Sequence, residues 1–307
     1  MKWFLALNRH SPGFPLYADL VRVAVHTARE HSALQPHLLY DGPDDPLLHW
    51  LDDHGVEVIR RRSVLYDSLR TIAARTGRLG CLSIGAGAFL RLELPALAAQ
   101  RGWDDECVLY TDCDVMFLAD PLPALRTLAP RYFAAAREDR SDRLSLNSGV
   151  MLMNLPALRR QDGRFRRFVT RHLDHFTRRA WDQDAYRAYY STRLVPHLEL
   201  DERVRRRTGF ARRRRWTEMP LELNWRPYWG ANPAAAVVHF HGPKPQQEPY
   251  FRVPEAERPA ELASLAPLAT DCYHEMCERW RAALNECDQP ARRAVSDRLR
   301  PSRLSSG

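Results

Sequence analysis

The stretch Cys107-Val-Leu-Tyr-Thr-Asp-Cys-Asp-Val-Met-Phe117 places two carboxylates inside otherwise apolar sequence. Residues 108–110 form a short β-favouring run, which predicts a buried strand ending at these carboxylates. In an extended chain, residues two apart point to the same side and lie roughly 6.6 Å apart, at about 3.3 Å per residue. Asp112 and Asp114 could therefore hold one cation at the carboxyl end of a sheet strand, where open α/β sheets bind ligands. An ordinary acidic turn after a strand is the alternative, although unpaired carboxylates between core residues are costly.

The composition is that of a globular protein with room for a large core. The chain has 307 residues, of which 45% are hydrophobic and 27% charged. This length fits one large α/β domain or two small ones. No run approaches the roughly eighteen apolar residues of a membrane span, and the apolar start at residues 1–8 is too short for a signal peptide. The six cysteines lack paired CxxC spacing, which predicts reduced thiols. We therefore expect a cytoplasmic protein.

The net charge of +8 comes mostly from clustered arginines. Two clusters occupy residues 205–207 and 212–215, and the tail from residue 292 to residue 303 is also basic. Such clusters attract phosphate on nucleic acid, on an anionic membrane or on a small substrate. A solvated arginine-rich surface is the simpler interpretation of the tail, and peripheral contact with the inner membrane surface is the alternative. We expect no nucleic-acid partner.

Before the central motif, predicted strands alternate with predicted helices. The strands cover residues 3–7, 36–40 and 56–59, and the helices cover residues 18–30 and 46–54. This rhythm predicts a mainly parallel sheet with crossover helices. A Gly-x-Gly at residues 85–87 precedes a predicted helix at residues 88–99 and is weak evidence for dinucleotide binding when it stands alone. Arg91 on that helix suits a phosphate or balances the two carboxylates.

After the central motif, the pattern continues with further short elements. A strand is predicted at residues 132–136, a turn at Asn147-Ser-Gly149 before another strand, and a long helix at residues 156–176. Asp182 and Asp184 fit the first turn of a helix, where the dipole favours anions, so capping alone would explain them. A strand-like run beginning at residue 236 leads into a Gly-Pro-Lys loop.

Six motifs, in this order along the chain, resemble those of the retaining GT-A glycosyltransferases in the family that includes glycogenin and the bacterial lipooligosaccharide galactosyltransferases. They are Leu90-Arg-Leu-Glu-Leu-Pro95, Tyr110-Thr-Asp-Cys-Asp-Val115, Asn147-Ser-Gly-Val-Met-Leu-Met-Asn154, Asp182-Gln-Asp184, Asn224-Trp-Arg-Pro-Tyr-Trp-Gly230 and His239-Phe-His-Gly-Pro-Lys-Pro245. Each motif alone is weak, but the ordered set is specific. It spans roughly residues 85–245.

The resemblance implies an α/β GT-A fold, Rossmann-like with a mainly parallel central sheet. We assign residues 1–250 to this single domain and residues 251–307 to a helical extension with a basic tail. The extension rests on the helix-forming composition and apolar spacing of residues 260–266 and 272–284. The resemblance also implies a nucleotide-sugar donor, most simply a UDP-sugar, transfer with retention at the anomeric carbon, and Mn²⁺ or Mg²⁺ as cofactor.

Matching the motifs residue by residue assigns roles to this chain. The metal ligands would be Asp112, Asp114 and His239, and the residues nearest the reacting sugar, named as catalytic, would be Asp182 and Gln183. Donor-binding residues would be Asn8, Arg91, Asp112, Asn147, Ser148, Asp182, Gln183, Gly242 and Lys244. The loop before Lys244 is one residue shorter than the commoner Gly-Pro-x-Lys-Pro, which leaves His241 as a competing ligand. Asn8 stands where relatives often have an acid that contacts the nucleoside.

Only the basic loop at residues 203–216 provides information about the acceptor. Phe210 and Trp216 could stack on sugar rings, and Arg212 and Arg213 could recognise phosphate or carboxylate. The loop predicts an anionic acceptor, such as an acidic or phosphorylated glycan, a lipid-linked intermediate or an acidic natural-product scaffold. An exposed loop without a substrate role is the alternative.

Two other function classes compete with the transferase interpretation. One is a non-catalytic protein that binds a nucleotide sugar or carbohydrate on the same fold. The other is a phosphatase of the haloacid-dehalogenase type, in which Asp112 would be the nucleophile and Asp114 the general acid. Phosphatases of that type usually carry their Asp-x-Asp motif near the start of the domain, and here it begins only at residue 112.

Overall fold

A computed structural model describes residues 1–103, 107–142, 145–190 and 215–287. Its centre is a seven-stranded sheet with the order β3-β2-β1-β4-β7-β6-β8. The strands are β1 (Lys2–Asn8), β2 (Gln35–Asp41), β3 (Glu57–Arg60), β4 (Cys107–Thr111), β5 (Val115–Phe117), β6 (Phe133–Arg137), β7 (Leu146–Asn154), β8 (Thr217–Glu218) and β9 (Val237–His239). The strands β5 and β9 pair separately and antiparallel. In the main sheet only the pairings of β7 with β4 and with β6 are antiparallel, so the prediction of a mainly parallel sheet is confirmed.

Helices cover both faces of the sheet. They are α1 (Phe14–His31), α2 (Pro46–Asp53), α3 (Tyr66–Thr76), α4 (Ala86–Ala88), α5 (Leu94–Gln100), α6 (Leu122–Arg126), α7 (Leu155–Arg171), α8 (Leu173–Phe176), α9 (Trp181–Tyr190) and α10 (Asp271–Cys287). Short 3₁₀ segments lie at Leu221–Leu223, Pro227–Trp229, Pro245–Phe251, Glu255–Glu257 and Ala260–Leu268. Helix α1 begins four residues before its predicted start, because Pro15 fits the first turn, where no N–H is needed.

The apolar stretch Cys81–Gln100 forms an irregular helical segment rather than the regular helix predicted for residues 88–99. A π-helical turn at Cys81–Gly85 and a 3₁₀ turn at Phe89–Glu93 interrupt it. Pro95 has no N–H to donate to the carbonyl of Arg91, which accepts instead from Leu94. The stretch is long and apolar enough to cross a membrane, contrary to the expectation from sequence, but 72% of its 18-residue apolar window is buried inside the protein. Its apolar composition is thus accounted for by the core.

Three further local predictions are corrected. Residues Asn147-Ser-Gly149 lie within β7, not in a turn, because this strand pairs on both sides. The helix predicted at residues 156–176 is interrupted between α7 and α8 at His172. Ala260–Leu268 is 3₁₀ because Pro267 lies within it and only Leu262 is buried, so little packing supports an α-helix.

The C-terminal helix is present, as predicted, and shares a core with the sheet. Tyr273, Cys277 and Trp280 on α10 are buried in the same apolar cluster as residues of α1 and β5. The Tyr273 hydroxyl donates to the carbonyl of Lys244 at 2.9 Å. This contact ties the helix to the loop that follows β9. The domain boundary at residue 250 stays a prediction, and the basic tail from residue 288 onward lies outside the described residues.

Candidate active site

A cavity of about 350 Å³ opens where β1, β4 and β7 approach the irregular helical segment and α9. Ten of the residues assigned from sequence line it: Asn8, Arg91, Asp112, Asp114, Asn147, Ser148, Asp182, Gln183, His239 and Lys244. Gly242 does not line the cavity; it turns the chain after β9 with a φ of 107°. Residues far apart in the chain thus converge on one volume.

Strand pairing brings the three predicted metal ligands together. Asp112 and Asp114 follow β4, and the register of β5 with β9 sets Val115 opposite His239. The Nε2 atom of His239 lies 3.3 Å from Asp114 Oδ1 and 3.9 Å from Asp112 Oδ2. One ligand atom from each of the three residues lies within 4.8 Å of the others. His241, the competing ligand, is not part of this group.

The donor set of the group fits a divalent cation such as Mn²⁺ or Mg²⁺. Two carboxylates and one imidazole are ligands that Mn²⁺ accepts while keeping positions open for phosphate oxygens. Within the part of the chain that the structure describes, Asp114 Oδ1 is buried and has no hydrogen-bond partner. A buried carboxylate oxygen without a donor is unfavourable, and a cation between it and His239 would satisfy it.

Lys244 reaches the same carboxylate in spite of its shortened loop. Its Nζ donates to Asp114 Oδ2 at 2.6 Å and to the carbonyl of Phe240 at 2.8 Å. Burial disfavours the ammonium form, but Asp114 outweighs burial and raises the pKa of Lys244. Burial would likewise raise the pKa of Asp114, yet Lys244 and His239 hold that pKa well below its usual range. Both groups are therefore charged at neutral pH.

Arg91 joins the side of the cavity that carries Asp112 to the side formed by α9. Its Nη2 donates to Asp112 Oδ1 at 2.6 Å, and its Nη1 donates to the carbonyl of Ser148. Its Nε lies 2.9 Å from Asp182 Oδ2, close enough for an ion pair, although the angle is not that of a hydrogen bond. The guanidinium carbon is 4.2 Å from the ring centre of Tyr110. One buried cation thus contacts both carboxylates.

The two residues predicted to act on the sugar lie in the first turn of α9. Gln183 Oε1 accepts from the backbone N–H of Ser148 at 2.9 Å, so the amide nitrogen of Gln183 is what remains to face the cavity. Burial raises the pKa of Asp182 to about 7, and Arg91 only partly opposes that rise. Asp184 accepts from the backbone N–H of Ala180 at 3.3 Å, so the capping explanation holds for Asp184, whereas Asp182, in the same first turn, also pairs with Arg91.

Trp181 is a site residue that sequence reasoning missed. It has a φ of 50° and is the one non-glycine residue with positive φ in the described ranges. Its indole lines the cavity and packs over the helical segment, where a Cβ at Gly85 would come within 3.0 Å of the ring and one at Gly80 within 3.5 Å. Strained backbone of this kind concentrates at functional sites. The glycines at 80 and 85 were the available signal, because they leave room for the ring.

None of the four residues assigned to the acceptor is found at the cavity in the described part of the chain, in contrast to most donor-binding residues. Trp216 is only 3% exposed and belongs to an apolar core cluster, so its predicted stacking on a sugar is wrong. Phe210, Arg212 and Arg213 lie outside the described residues. Asn8 lines the cavity and donates to the carbonyl of Ser83 at 3.3 Å, which fixes its amide at the end of β1.

No family model and no curated protein matches the sequence. Among solved structures, the galactosyltransferase LgtC in complex with donor and acceptor sugar analogs is 17% identical, with 95% of this chain and 98% of that chain covered and a TM-score of 0.58. The glycosyltransferase GlyE of Streptococcus pneumoniae TIGR4 is 15% identical over 93% and 63% of the two chains, with a TM-score of 0.53. Mouse xyloside xylosyltransferase 1 is 15% identical over 78% and 97%, with a TM-score of 0.50. The chain therefore has the GT-A glycosyltransferase fold, as the resemblance implied.

A substitution at Gly149 tests how tightly the site is packed. A Cβ at this position would lie 2.1 Å from Cε1 of His239, a side chain that is 1% exposed and cannot move aside. We expect Gly149→Ala to lower the free energy of unfolding by about 1–3 kcal/mol or more, measured by urea denaturation. The control is Gly163→Ala on the exposed face of α7, which should raise that free energy by roughly 0.5–1 kcal/mol. An unchanged urea midpoint for Gly149→Ala would contradict this packing.

The raised pKa of Asp182 predicts a pH-dependent stability. Since the folded-state pKa is about 7, above the usual value, the unfolded protein loses this proton at lower pH than the folded protein does. The stability that wild type has relative to Asp182→Asn should therefore be greatest below about pH 4 and fall as the pH rises through 7. Urea unfolding of both proteins at pH 4.5 to 8 measures this difference. A difference that is constant, or that grows with pH, would show that Asp182 is ionised throughout.

Proposed function

We propose that this protein is a metal-dependent retaining glycosyltransferase that moves a sugar from a UDP-sugar to an acceptor. The observation that carries the proposal is the convergence of Asp112, Asp114 and His239 within 4.8 Å, on the wall of a cavity in a GT-A fold. The phosphatase alternative is disfavoured, because Asp112 follows the fourth strand of the chain in a sheet of the glycosyltransferase type.

The site offers two positive groups to the donor diphosphate, a bound cation and Lys244. Asp112, Asp114 and His239 hold the cation, which when bound withdraws charge from the diphosphate as the glycosidic bond breaks. Lys244 would add a second positive charge at the same wall, where its Nζ now donates to Asp114 and could donate instead to a phosphate oxygen. Lys244 is already held at this wall, so only its Nζ has to change partner to stabilise the leaving group.

The residues of α9 act on the sugar. Asp182 accepts a sugar hydroxyl and lies close to the charge that develops on the ring, while Gln183 donates its amide N–H. Gln183 Oε1 is engaged by the N–H of Ser148, and Asp182 Oδ2 is paired with Arg91. These contacts engage only one oxygen of Asp182, so retention is compatible with attack by that carboxylate as well as with attack of the acceptor on the face from which the diphosphate departs. Asn8, at the end of β1, contacts the nucleoside.

The acceptor and the cellular location are proposed from sequence alone. The arginines of residues 205–207 and 212–215 favour an anionic acceptor, because guanidinium groups pair with phosphate and carboxylate. We propose a cytoplasmic protein that works on such an acceptor free in solution or at the inner membrane surface, where each basic residue adds about 1 kcal/mol of attraction.

The decisive assay is release of UDP from a panel of UDP-sugars with Mn²⁺. Wild type should turn over at least one donor, and excess chelator should abolish the turnover until Mn²⁺ is restored. Asp112→Ala and Asp114→Ala should each lower turnover by about 10³-fold, because leaving-group stabilisation is lost. Asp67→Ala, at an exposed position on α3, is the matched control and should be unaffected.

Three outcomes would count against the proposal. Full turnover in excess chelator would remove the metal role. An inverted product, read from the anomeric proton by NMR, would remove retention. Donor binding without turnover for every sugar and acceptor tested would favour the non-catalytic binding protein.

A further inference from the structure

Behind His239, three buried or partly buried side chains form a hydrogen-bonded chain that ends on the imidazole. Asn147 Nδ2 donates to Glu138 Oε2 at 2.9 Å. Asn224 Nδ2 donates to Asn147 Oδ1, also at 2.9 Å. Asn224 Oδ1 then lies 2.8 Å from His239 Nδ1. The exposed fractions of Asn147, Asn224 and His239 are 1%, 0% and 1%, so water does not replace these partners.

Glu138, at the end of this hydrogen-bonded chain farthest from His239, determines which atom is the donor in each of its hydrogen bonds. Burial would raise the pKa of Glu138, but Arg226, His241 and Arg187 outweigh it and lower that pKa, so the carboxylate is ionised and can only accept. Asn147 must therefore turn its NH₂ toward Glu138 and its oxygen toward Asn224. The backbone N–H of Gly149 donates to the same oxygen at 2.9 Å, which fixes this orientation a second time.

The remaining two links follow by elimination. Because Asn147 offers an oxygen, Asn224 must offer its NH₂ to it, and its own oxygen is left to face His239. An oxygen at 2.8 Å requires a donor, so Nδ1 of His239 carries a proton. In the neutral ring, Nε2 is then the unprotonated nitrogen, and it points toward Asp112 and Asp114.

We propose that Asn224 is a positioning residue that, supported by Asn147 and Glu138, holds His239 in the tautomer with a proton on Nδ1 and a lone pair on Nε2. The inference rests on the proposed metal site, since a lone pair at this position is useful for ligating a cation. The opposite tautomer would aim an N–H at the cation. Partners of this kind typically orient metal-binding histidines, and their loss lowers metal affinity by about 10–100-fold.

The arrangement also explains an otherwise unassigned motif. Asn224 opens the segment Asn224-Trp-Arg-Pro-Tyr-Trp-Gly230, whose backbone is fixed against β9. The N–H of Trp225 donates to the carbonyl of Val237 at 2.9 Å, and the carbonyl of Trp225 accepts from the N–H of His239 at 2.8 Å. The segment therefore carries its first side chain to one fixed place beside the imidazole. Asn224 thus supports His239 from behind, and no residue of the segment lines the cavity.

The test reads the tautomer directly. Long-range ¹H–¹⁵N spectra of metal-free, ¹⁵N-histidine-labelled protein are recorded at increasing pH until the His239 signals stop shifting, so that the neutral ring is observed. The His239 signals are identified by their loss in His239→Gln. Wild type should show a protonated Nδ1 and an unprotonated Nε2. Binding of Mn²⁺ alone is measured in parallel from the EPR signal of the free ion.

Two substitutions with side chains of similar size distinguish a positioning role of Asn224 from a purely structural one. Asn224→Leu removes the acceptor, so His239 should populate the other tautomer and Mn²⁺ affinity should fall by about 10–100-fold. Asn224→Asp keeps an oxygen facing Nδ1, so the tautomer should be retained. Its second oxygen meets Asn147 Oδ1 without a proton to donate, which lowers stability, so only the tautomer is read from this variant. Far-UV circular dichroism confirms that each variant is folded.

The outcomes distinguish this inference from the proposed function. A wild-type ring with its proton on Nε2 would overturn the inference, even if Asn224→Leu fails to fold. So would a folded Asn224→Leu variant with unchanged tautomer and unchanged Mn²⁺ affinity. If wild type has the expected tautomer but does not bind Mn²⁺, the positioning by Asn224 stands and the proposed metal dependence fails.

Discussion

The site depends on one buried guanidinium shared between two carboxylates. Arg91 contacts Asp112 at the end of β4 and Asp182 at the start of α9, and it is 2% exposed. Burying a charge is unfavourable unless it is paired, and removing one partner of a buried pair typically costs about 3–5 kcal/mol. Arg91 therefore fixes the distance between the end of β4 and the start of α9 across the cavity.

On the side of β7, the cavity depends on the close approach of the Gly149 backbone to its neighbours. Gly149 accepts a hydrogen bond from the backbone N–H of Asp112 at 2.7 Å and leaves space for the ring of His239, while its own N–H holds Asn147. A strand residue without a side chain thus positions one proposed metal ligand, Asp112 or His239, on each side of itself. Together with Lys244 and Arg91, this gives matched positive and negative groups around a cavity that suits an anionic, metal-bound donor.

Local patterns in the sequence are sufficient to predict much of the fold and the charged part of the site. Apolar runs predict the strands, and the ordered motifs assign Asp112, Asp114, His239 and Lys244 to one site. Prediction fails where contacts between residues far apart in the chain determine the local structure. Asn147 lies in a strand because β7 pairs on both sides. Trp216 is buried by packing that its basic neighbours in the sequence do not reveal. Glu138 and the link from Asn224 to His239 were missed for the same reason, since no periodicity records a contact between residues far apart in the chain. The glycines at 80 and 85 were the local signal for Trp181.

The central claim is that Asp112, Asp114 and His239 hold a divalent cation in the donor cavity. It is tested most directly by anomalous diffraction at the manganese edge from crystals of the wild-type protein grown with Mn²⁺ and UDP. The account predicts one strong peak within about 2–2.5 Å of a ligand atom from each of the three residues, in contact with the diphosphate. UDP bound in the cavity with no manganese peak at these residues, or with the peak elsewhere, would contradict it.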